Sequence, residues 1–369
     1  AIVQPQMGSH IKYAFLSGMP DLRLFPHDEI RSHFSDALKR SRTKLLGYSD
    51  PAGHLPLVKQ IEEYLRRVRA VKDRGIVVTN GSQEAIFIAA QLLLKSGDHV
   101  AVEASGYTPA WQALRASGAS LVGVPVDSQG LDVEALEKLI KKKKIRLIYT
   151  TPLHQYPTTV TLSLARRMQL LDVATRHGIP VLEDDYDHEF HYKSQPLAPL
   201  ASQDPAGVVI YISTFSKVMY PSARVGFMAV PERYHRQFSD FKRIISRQND
   251  VVTQDAVARW MSDGGFERHM RKMRRNYEVR LRALVESLQK LDLKIIEPSG
   301  GMALWLDTEQ NSGEIAIKAA SAGVHVMPEE YFLLKKKKVA THLRLGFANQ
   351  TPQEIGRGIA ILGENILRG

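Results

Sequence analysis

Short β-rich runs alternate with helical runs over residues 42 to about 255, and this alternation constrains the fold more than any other feature of the sequence. Val100 to Glu103, for example, is followed by a helical run from Pro109 to Ala116. The same order recurs at Ile145 to Thr150 and Leu162 to His177. Because strands separated by helices pair in parallel, with helices on both faces of the sheet, the pattern predicts an α/β fold around a large, mostly parallel sheet.

The pattern changes from about residue 256, where a long helical stretch precedes several short strands. We predict these strands at Lys294 to Glu297, Met302 to Leu306, Val324 to Met327 and Leu343 to Phe347. Segregated helices and strands are typical of an α+β unit. Residues 256–369 are therefore predicted to form a second, smaller domain.

Several predicted strands of the large sheet end at residues suited to ligand binding. These residues are Gly81, Tyr107, Thr151, Asp184 and Thr214. Open α/β sheets bind ligands beyond the carboxyl ends of their strands. The sequence thus predicts one ligand site at this edge of the sheet.

The segment Ser213 to Lys217, followed by Arg224, combines a lysine with groups that bind phosphate. A partly desolvated lysine can lose its proton and form a Schiff base with an aldehyde. Thr214 and Ser216 can donate hydrogen bonds to phosphate oxygens, and Arg224 carries a permanent charge on a planar fork. This combination indicates pyridoxal phosphate. An isolated lysine in such a loop would more usually be a solvated surface residue, so the other segments decide.

An apolar run from Gly178 to Leu182, predicted as a buried strand, leads into the acidic cluster Glu183 to Asp187. Crowded carboxylates repel one another, so a cation is expected beside them. A protonated pyridine nitrogen would serve, because an aspartate can keep it charged and let the ring act as an electron sink. A tyrosine two residues further on can bond the phenolic oxygen of the ring.

A metal ion is the alternative for the same cluster, because His188 and His191 follow it closely. No second group of ligands with a recognised spacing occurs elsewhere in the sequence. The pyridine interpretation is therefore favoured, and no metal site is predicted.

Two further segments fit a flat, phosphorylated ligand. Ile76 to Thr79 is a β-branched strand that leads through Asn80 and Gly81 into a helical run, and the N–H groups at a helix start bind anions. Tyr107 follows another apolar strand, where its ring could stack on the ligand. Either feature alone is common, since such turns are frequent and most tyrosines simply pack.

In order and approximate separation, these segments resemble the fold-type I pyridoxal-phosphate enzymes. Three more segments resemble the aminotransferase-like, effector-binding domain of MocR/GabR-type bacterial transcriptional regulators: Gly47 to Leu57, Thr151 to Thr158 and Glu183 to Phe190. The resemblance extends from about Phe25 to about Phe347. It implies a large cofactor-binding domain over residues 42–255 and a small domain over 256–369. Residues 1–41 would form a tail and a helix, Asp28 to Lys39, that join the small domain.

The resemblance also implies a role for each matching residue. Around the ring it implies Lys217 as the Schiff-base lysine, Asp184 facing the pyridine nitrogen, Tyr186 near the phenolic oxygen and Tyr107 on the ring face. Around the phosphate it implies Ser82, Gln83, Thr214, Ser216 and Arg224, with Tyr48 reaching the phosphate of the neighbouring subunit in a homodimer. Arg344, between Leu343 and Leu345 on an alternating strand, would grip the carboxylate of an effector or substrate.

One turn departs from the pattern of ordinary aminotransferases. They carry an Asn-Pro-Thr-Gly turn whose asparagine bonds the phenolic oxygen of the cofactor, whereas this chain has Tyr156-Pro157-Thr158-Thr159. Loss of that donor would alter the protonation of the Schiff base. The tyrosine therefore argues against efficient turnover and fits the regulator branch.

The chain has no cysteine, which excludes disulfides and permits a reducing cytosol. We expect no signal peptide, and apolar runs such as Ala85 to Leu94 are too short for a membrane span. We therefore expect a cytoplasmic protein.

The formal net charge of +11 is concentrated in Lys141 to Lys144, Lys335 to Lys338 and Arg268 to Arg282. The lysine runs lack interleaved aromatic residues, and the arginine-rich stretch has apolar residues at helical spacing that indicate a core-facing side. We interpret all three as solvated patches. Direct contact with DNA is the alternative, and a basic face resting against DNA that another domain binds is a further option.

The resemblance thus implies a domain that binds an amino-acid or amine effector as an external aldimine. In MocR-type regulators a winged helix-turn-helix precedes this domain, whereas this chain begins at Ala1, shortly before the family's start near Pro20. We therefore expect an isolated effector domain that meets DNA only through that missing part. A free-standing aminotransferase is the alternative. An interaction module that has lost its cofactor is disfavoured because Lys217, Asp184 and Arg224 are intact.

Overall fold

A computed structural model describes residues 10–16, 18–40, 46–193 and 197–367 of the chain. Its strands are β1 (Tyr13–Ala14), β2 (Arg74–Thr79), β3 (His99–Glu103), β4 (Ser120–Val124), β5 (Val126–Asp127), β6 (Gly130–Leu131), β7 (Ile145–Thr150), β8 (Val181–Asp185), β9 (Val209–Thr214), β10 (Gly226–Pro231), β11 (Ala303–Asp307), β12 (Val324–His325), β13 (Met327–Pro328) and β14 (His342–Gly346). Its α-helices are α1 (His27–Arg40), α2 (Leu55–Val68), α3 (Ser82–Leu93), α4 (Thr108–Arg115), α5 (Val133–Lys142), α6 (Leu164–His177), α7 (Glu232–Ser246), α8 (Val251–Ser262), α9 (Gly265–Gln289), α10 (Ser312–Ser321) and α11 (Pro352–Leu367).

The central sheet has seven strands in the order β2-β10-β9-β8-β7-β3-β4. Strand β10 runs antiparallel to both of its neighbours, and all the other pairings are parallel. The carboxyl ends of β2, β3, β7, β8 and β9 therefore meet at one edge. The predicted α/β fold with a mostly parallel sheet is confirmed.

Successive residues of each central strand pack into different cores on the two faces of the sheet. In β8, Val181 belongs to the larger core and Leu182 to the core beneath α3 and α4. In β2, Val77 likewise faces the second core while Ile76 and Val78 face the first. This two-sided burial explains why the strands are apolar almost without interruption.

The C-terminal part contains a three-stranded antiparallel sheet in the order β11-β14-β13, packed with α10 and α11. The N-terminal segment joins it, because β1 pairs in parallel with β12. The predicted helix Asp28 to Lys39 is confirmed as α1. Of the predicted tail, residues 1–9, 17 and 41 lie outside the described residues. The boundary placed between residues 255 and 256 falls inside α8, and the division into three parts remains a prediction.

The strand predicted at Lys294 to Glu297 was wrong, since residues 293–298 form no regular element. Leu293 and Ile295 pack against the core while Ile296 is 76% exposed, so side chains alternate here, but no described strand pairs with the segment. The run predicted at Val324 to Met327 is divided into β12 and β13 at Val326. The other two strands of this part were predicted correctly to within a residue.

The surface charges lie where the sequence analysis placed them. The lysines at 141–144 and 335–338 are exposed. In α9 the apolar side of the arginine-rich stretch is buried through Met270, Met273, Tyr277 and Leu281. Among the described helices, none combines the length and apolar character needed to cross a membrane.

Candidate active site

Lys217 lies in a 3-10 turn, Phe215–Lys217, that follows β9 directly. Thr214 closes this turn, because its Oγ1 accepts a hydrogen bond from the backbone N–H of Ser216 (3.1 Å) and donates one to the Ser216 hydroxyl (2.9 Å). The Lys217 Nζ donates to the carbonyl oxygen of Gly18 at 2.9 Å. Burial lowers the pKa of Lys217, and the nearby carboxylates of Asp187 and Asp184 oppose that effect. The amine is thus held in place and more easily deprotonated than a surface lysine.

The contact with Gly18 depends on glycine. Its φ of +69° is in the left-handed region, and a Cβ there would lie 2.9 Å from the Lys217 Nζ. No prediction included Gly18, because a single glycine 199 residues from the lysine carries no local signal.

Asp184 lies within β8 with its side chain on the face opposite to Glu183 and Asp185. Its Oδ2 accepts a hydrogen bond from the Tyr149 hydroxyl (2.8 Å). Its Oδ1 is buried and has no hydrogen-bond partner among the residues that the structure describes. Burial raises the pKa of Asp184 to about 7, although the Tyr149 hydrogen bond works in the other direction. A buried, unsatisfied carboxylate oxygen is costly, and a cationic N–H donor such as a protonated pyridine nitrogen would satisfy it.

Glu183 and Asp185 lie on the opposite face and accept hydrogen bonds from other protein groups, although the Oδ1 of Asp185 also has no hydrogen-bond partner among the described residues. Glu183 accepts backbone hydrogen bonds from Leu200 (2.7 Å) and Ala201 (3.0 Å). Asp185 accepts from the Tyr211 hydroxyl (2.7 Å) and lies 2.8 Å from the Nδ1 of His188. Strand alternation thus separates Asp184 from its two neighbours, although Asp185 still contributes to the raised pKa of Asp184. The strand was predicted three residues out of place, because it begins at Val181 and includes the carboxylates, while Gly178 caps α6.

His188 and His191, the candidate metal ligands, contact neighbouring side chains. His188 pairs with Asp185, as described above, and the ring of His191 stacks on that of His154 with the centroids 5.7 Å apart. His154 in turn places its Nδ1 2.7 Å from an oxygen of Asp187. Burial is the main reason why the pKa of His191 falls to about 4, and the neighbouring histidines contribute to the lowering.

The turn that precedes α3 presents a helix N-terminus beside an arginine. Gly81 has φ of +78°, and Arg224 donates from Nη2 to the Asn80 carbonyl (2.5 Å). A Cβ at Gly81 would lie 2.8 Å from that same nitrogen, and the positive φ strains any other residue at this position. Ser82 is the first residue of α3, and the N–H groups of a first helical turn attract anions. Gln83 donates to the Pro109 carbonyl (2.8 Å) and keeps a buried oxygen without a partner in the described structure.

The sheet register brings this turn and the Lys217 turn together. Gly226, the first residue of β10, pairs with Thr79 of β2 on one side and Thr214 of β9 on the other. A Cβ at Gly226 would lie 2.7 Å from the Cα of Gly81. One strand therefore separates the hydroxyls of Thr214 and Ser216 from the α3 N-terminus.

Aromatic rings surround Tyr156. Its ring centroid lies 5.3 Å from that of Tyr107, 5.5 Å from that of Phe332 and 5.9 Å from that of Tyr186. The Tyr186 hydroxyl donates to the His154 carbonyl oxygen at 2.9 Å. Phe332 was not predicted, because it lies far along the chain from these residues and no local pattern connects it to the site.

Arg344 on β14 is 1% exposed and reaches this ring cluster from the C-terminal part of the chain. Its guanidinium carbon lies 4.3 Å from the Tyr156 ring centroid, and its Nη1 donates to the Pro157 carbonyl oxygen. Arg344 also helps to offset the rise that burial imposes on the pKa of Tyr186. The structure thus brings Arg344 and Tyr186 together at the turn that departs from the aminotransferase pattern.

Tyr48 does not join this cluster within one chain. Its side chain is 85% exposed, and the Arg247 guanidinium lies 5.2 Å from its ring centroid. The proposed contact with a neighbouring subunit's phosphate remains a prediction.

Three features occur at one edge of the sheet: a lysine of lowered pKa, a buried carboxylate oxygen without a partner among the described residues, and an arginine beside a helix N-terminus. Together with the fold, they define a fold-type I pyridoxal-phosphate protein. The family model for aminotransferase class I and II matches residues 19–362. The chain belongs to this family, and pyridoxal phosphate is its cofactor.

Similar proteins are of two kinds. The probable rhizopine catabolism regulatory protein MocR of Rhizobium meliloti is 33% identical over 361 residues, which cover 94% of this chain and 71% of that protein. Aromatic-amino-acid aminotransferase 1 of Thermococcus litoralis is 28% identical over 361 residues, covering 95% and 86%. Among solved structures, kynurenine aminotransferase of Pyrococcus horikoshii superposes with a TM-score of 0.91 at 30% identity, covering 98% of this chain and 91% of that one.

Proposed function

We propose that this chain is the effector-sensing domain of a MocR-type transcriptional regulator and that its effector is an amino acid or amine. The observation that carries the proposal is Tyr156, whose ring lies against Arg344 where ordinary aminotransferases have a cofactor-bonding asparagine. Similarity to the MocR protein of Rhizobium meliloti supports the same conclusion.

Pyridoxal phosphate, when bound, supplies an aldehyde that amines attack and a ring that accepts electrons. Lys217 would provide the amine that holds the cofactor and that an effector displaces, since its lowered pKa favours the nucleophilic form. Asp184 would keep the pyridine nitrogen protonated through its unsatisfied oxygen. Tyr186 would lie near the phenolic oxygen, and Tyr107 against the ring face.

The phosphate would be bound by the Gly81 turn and the Lys217 turn. The residues that we assign to it are Ser82, Gln83, Thr214, Ser216 and Arg224. Hydroxyl groups, an arginine fork and a helix N-terminus match the charge and geometry of a phosphate. In a homodimer, Tyr48 of a second copy would add a further donor.

Arg344 would bind the carboxylate of the effector by a charge-assisted pair. Because Arg344 belongs to the small domain and Lys217 to the large sheet, an effector held by both would favour one arrangement of the two parts over another. A ligand shifts such an equilibrium by its difference in affinity for the two states. DNA-binding domains attached to them in a dimer would respond to that shift.

A free-standing aminotransferase is the second candidate. It is supported by the likeness to the Thermococcus litoralis aminotransferase and to the Pyrococcus horikoshii structure, and by the presence of both Lys217 and Asp184. In either case the same residues would hold the cofactor. The candidates differ in the fate of the bound effector after amine exchange.

Turnover separates the two candidates. We expect individual amino acids or amines to change the visible spectrum of the bound cofactor, while a paired amino acid and 2-oxo acid gives little sustained product. Sustained conversion at about 1 to 10³ per second, the ordinary range for enzymes, would favour the aminotransferase. An in-frame winged helix-turn-helix upstream in the gene would favour the regulator.

A further inference from the structure

Lys242 in α7 is a fully buried lysine, with a relative exposure of 0%. Its Nζ lies 3.1 Å from a carboxylate oxygen of Glu84 and donates to the Ser246 hydroxyl at 2.5 Å. Lysine is almost never fully buried unless it is paired. Burial lowers the pKa of Lys242, and Glu84 opposes that effect. None of the functions assigned above uses this ion pair.

Glu84 connects Lys242 to the turn ahead of α3. As the third residue of that helix, it accepts the Asn80 backbone N–H (2.6 Å) and the Asn80 side-chain amide (3.1 Å). The Asn80 carbonyl accepts from Arg224 (2.5 Å), and its side-chain oxygen accepts from Asn249 (2.9 Å). Every polar group of Asn80 therefore has a protein partner, which fixes the turn on which Gly81 and Ser82 are placed.

The position of Glu84 creates an electrostatic conflict that Lys242 resolves. Burial acts to raise the pKa of Glu84, but the Asn80 hydrogen bonds and the Lys242 ammonium together lower it by more. The net pKa is below its ordinary value, so the carboxylate is charged. That charge lies in the first turn of the helix whose N-terminus would receive a phosphate dianion. Like charges repel, and the repulsion is strong where water is scarce. With Lys242 beside it, Glu84 can hold the turn without opposing the phosphate.

We propose that Lys242 is a positioning residue for the cofactor phosphate, acting through Glu84 and without touching the phosphate. Lys242 neutralises the Glu84 carboxylate that fixes Asn80. The Gly81 turn can therefore be rigid and still attract an anion. The inference rests on the assignment of the Gly81 turn and Arg224 to the phosphate under the proposed function.

The test compares pyridoxal phosphate with pyridoxal, which lacks the phosphate, on the cofactor-free protein. Dissociation constants from visible absorption give a phosphate preference for the wild type and for each variant. In Lys242→Met we expect affinity for pyridoxal phosphate to fall at least about tenfold, the size typical of one member of a charged pair left alone. Affinity for pyridoxal should change by less than about twofold. Lys318→Met, on the exposed side of α10, is the control for loss of a positive charge.

Two Glu84 variants separate charge from packing. Lys242→Met with Glu84→Gln removes both charges and should restore most of the phosphate preference. Glu84→Gln alone leaves Lys242 uncompensated and should keep or increase the preference, so this variant tests the idea even if Lys242→Met does not fold. The proposal is overturned if Lys242→Met weakens both ligands equally, or if Glu84→Gln loses the preference.

A thermal-shift titration of the cofactor-free protein with inorganic phosphate gives a second measurement. Phosphate should raise the melting temperature of the wild type and of Glu84→Gln more than that of Lys242→Met. If the wild type itself bound pyridoxal phosphate and pyridoxal equally well, the phosphate assignment would be wrong and the inference would fall with it. If the wild type preferred pyridoxal phosphate and the variants kept the same preference, the phosphate assignment would stand and only the role of Lys242 would be refuted.

Discussion

The guanidinium of Arg344 lies against the ring of Tyr156, with 4.3 Å between its central carbon and the ring centroid. The same guanidinium donates to the carbonyl oxygen of Pro157, the next residue. Tyr156 therefore contacts the guanidinium with its ring, and Pro157 accepts a hydrogen bond from one of its N–H groups. A cation–π contact away from water contributes about 1–2 kcal/mol. This energy is large enough to hold the guanidinium in one orientation, in which it can bind a carboxylate ligand.

Replacing Tyr156 by leucine should therefore weaken the binding of carboxylated effectors by about 5-fold to 30-fold, the equivalent of ~1–2 kcal/mol. The reason is that leucine removes the ring and leaves Arg344 less well positioned. Spectral titrations with an amino acid and with the matching amine that lacks the carboxylate measure the effect. Tyr156→Phe keeps the ring and should bind both ligands nearly as the wild type does. Equal weakening of the amine, or an equally impaired phenylalanine variant, would contradict this role.

Borohydride reduction of the protein with its cofactor should attach the cofactor to Lys217, and peptide mapping locates the label. Lys217→Ala should lose both the label and the visible absorption band. Its free energy of unfolding should change by no more than ~1 kcal/mol, because the side chain is partly desolvated and its main hydrogen bond is with one carbonyl. Label on a different lysine in the wild type would remove the assignment.

Gly18→Ala should disturb Lys217 from a distance of 199 residues along the chain. The added methyl group would lie 2.9 Å from Nζ, and the left-handed φ of +69° costs alanine about 1 kcal/mol or more. We expect both lower stability and slower reductive attachment of the cofactor. Gly178→Ala is the matched control, because Gly178 has φ of +59° and no atom within 4 Å of the added methyl group. If both variants behaved alike, backbone strain alone would explain the result.

Local sequence patterns were enough to locate the Lys217 turn, the Asp184 cluster and the Gly81 turn. Each combines an apolar strand with polar groups directly at or after its end, and parallel strands bring those ends to one edge. The partners of these groups could not be predicted. Tyr149 beside Asp184 is an ordinary strand residue in the sequence, and Lys242 beside Glu84 is 158 residues away.

The failed strand at Lys294 to Glu297 has a similar physical cause. A segment with alternating apolar and polar side chains forms a strand only if a neighbouring strand supplies hydrogen bonds and a core covers one of its faces. Neither condition is visible locally. Leu293 and Ile295 do pack against the core, but no described strand pairs with this segment.

Asp184 should make the stability of the cofactor-free protein depend on pH. Its pKa is about 7 in the folded protein, raised chiefly by burial, against an ordinary 3.8. Between these pH values the unfolded chain has released this proton while the folded protein retains it. Since the folded state binds more protons, stability falls as the pH rises from about 4 to about 7, by up to ~4 kcal/mol for this group.

Asp184→Asn should therefore flatten the pH dependence of the free energy of unfolding, measured by denaturant titration of the cofactor-free protein between pH 4 and 8. The flattening should be incomplete, because burial also raises the pKa of Glu183 to about 7 and that residue remains. Above pH 7 the variant should be more stable than the wild type, since an amide avoids burying a charge without a cation to meet it. Parallel curves for the two proteins would mean that Asp184 is ionised throughout, and that its free oxygen already has a partner before the cofactor binds.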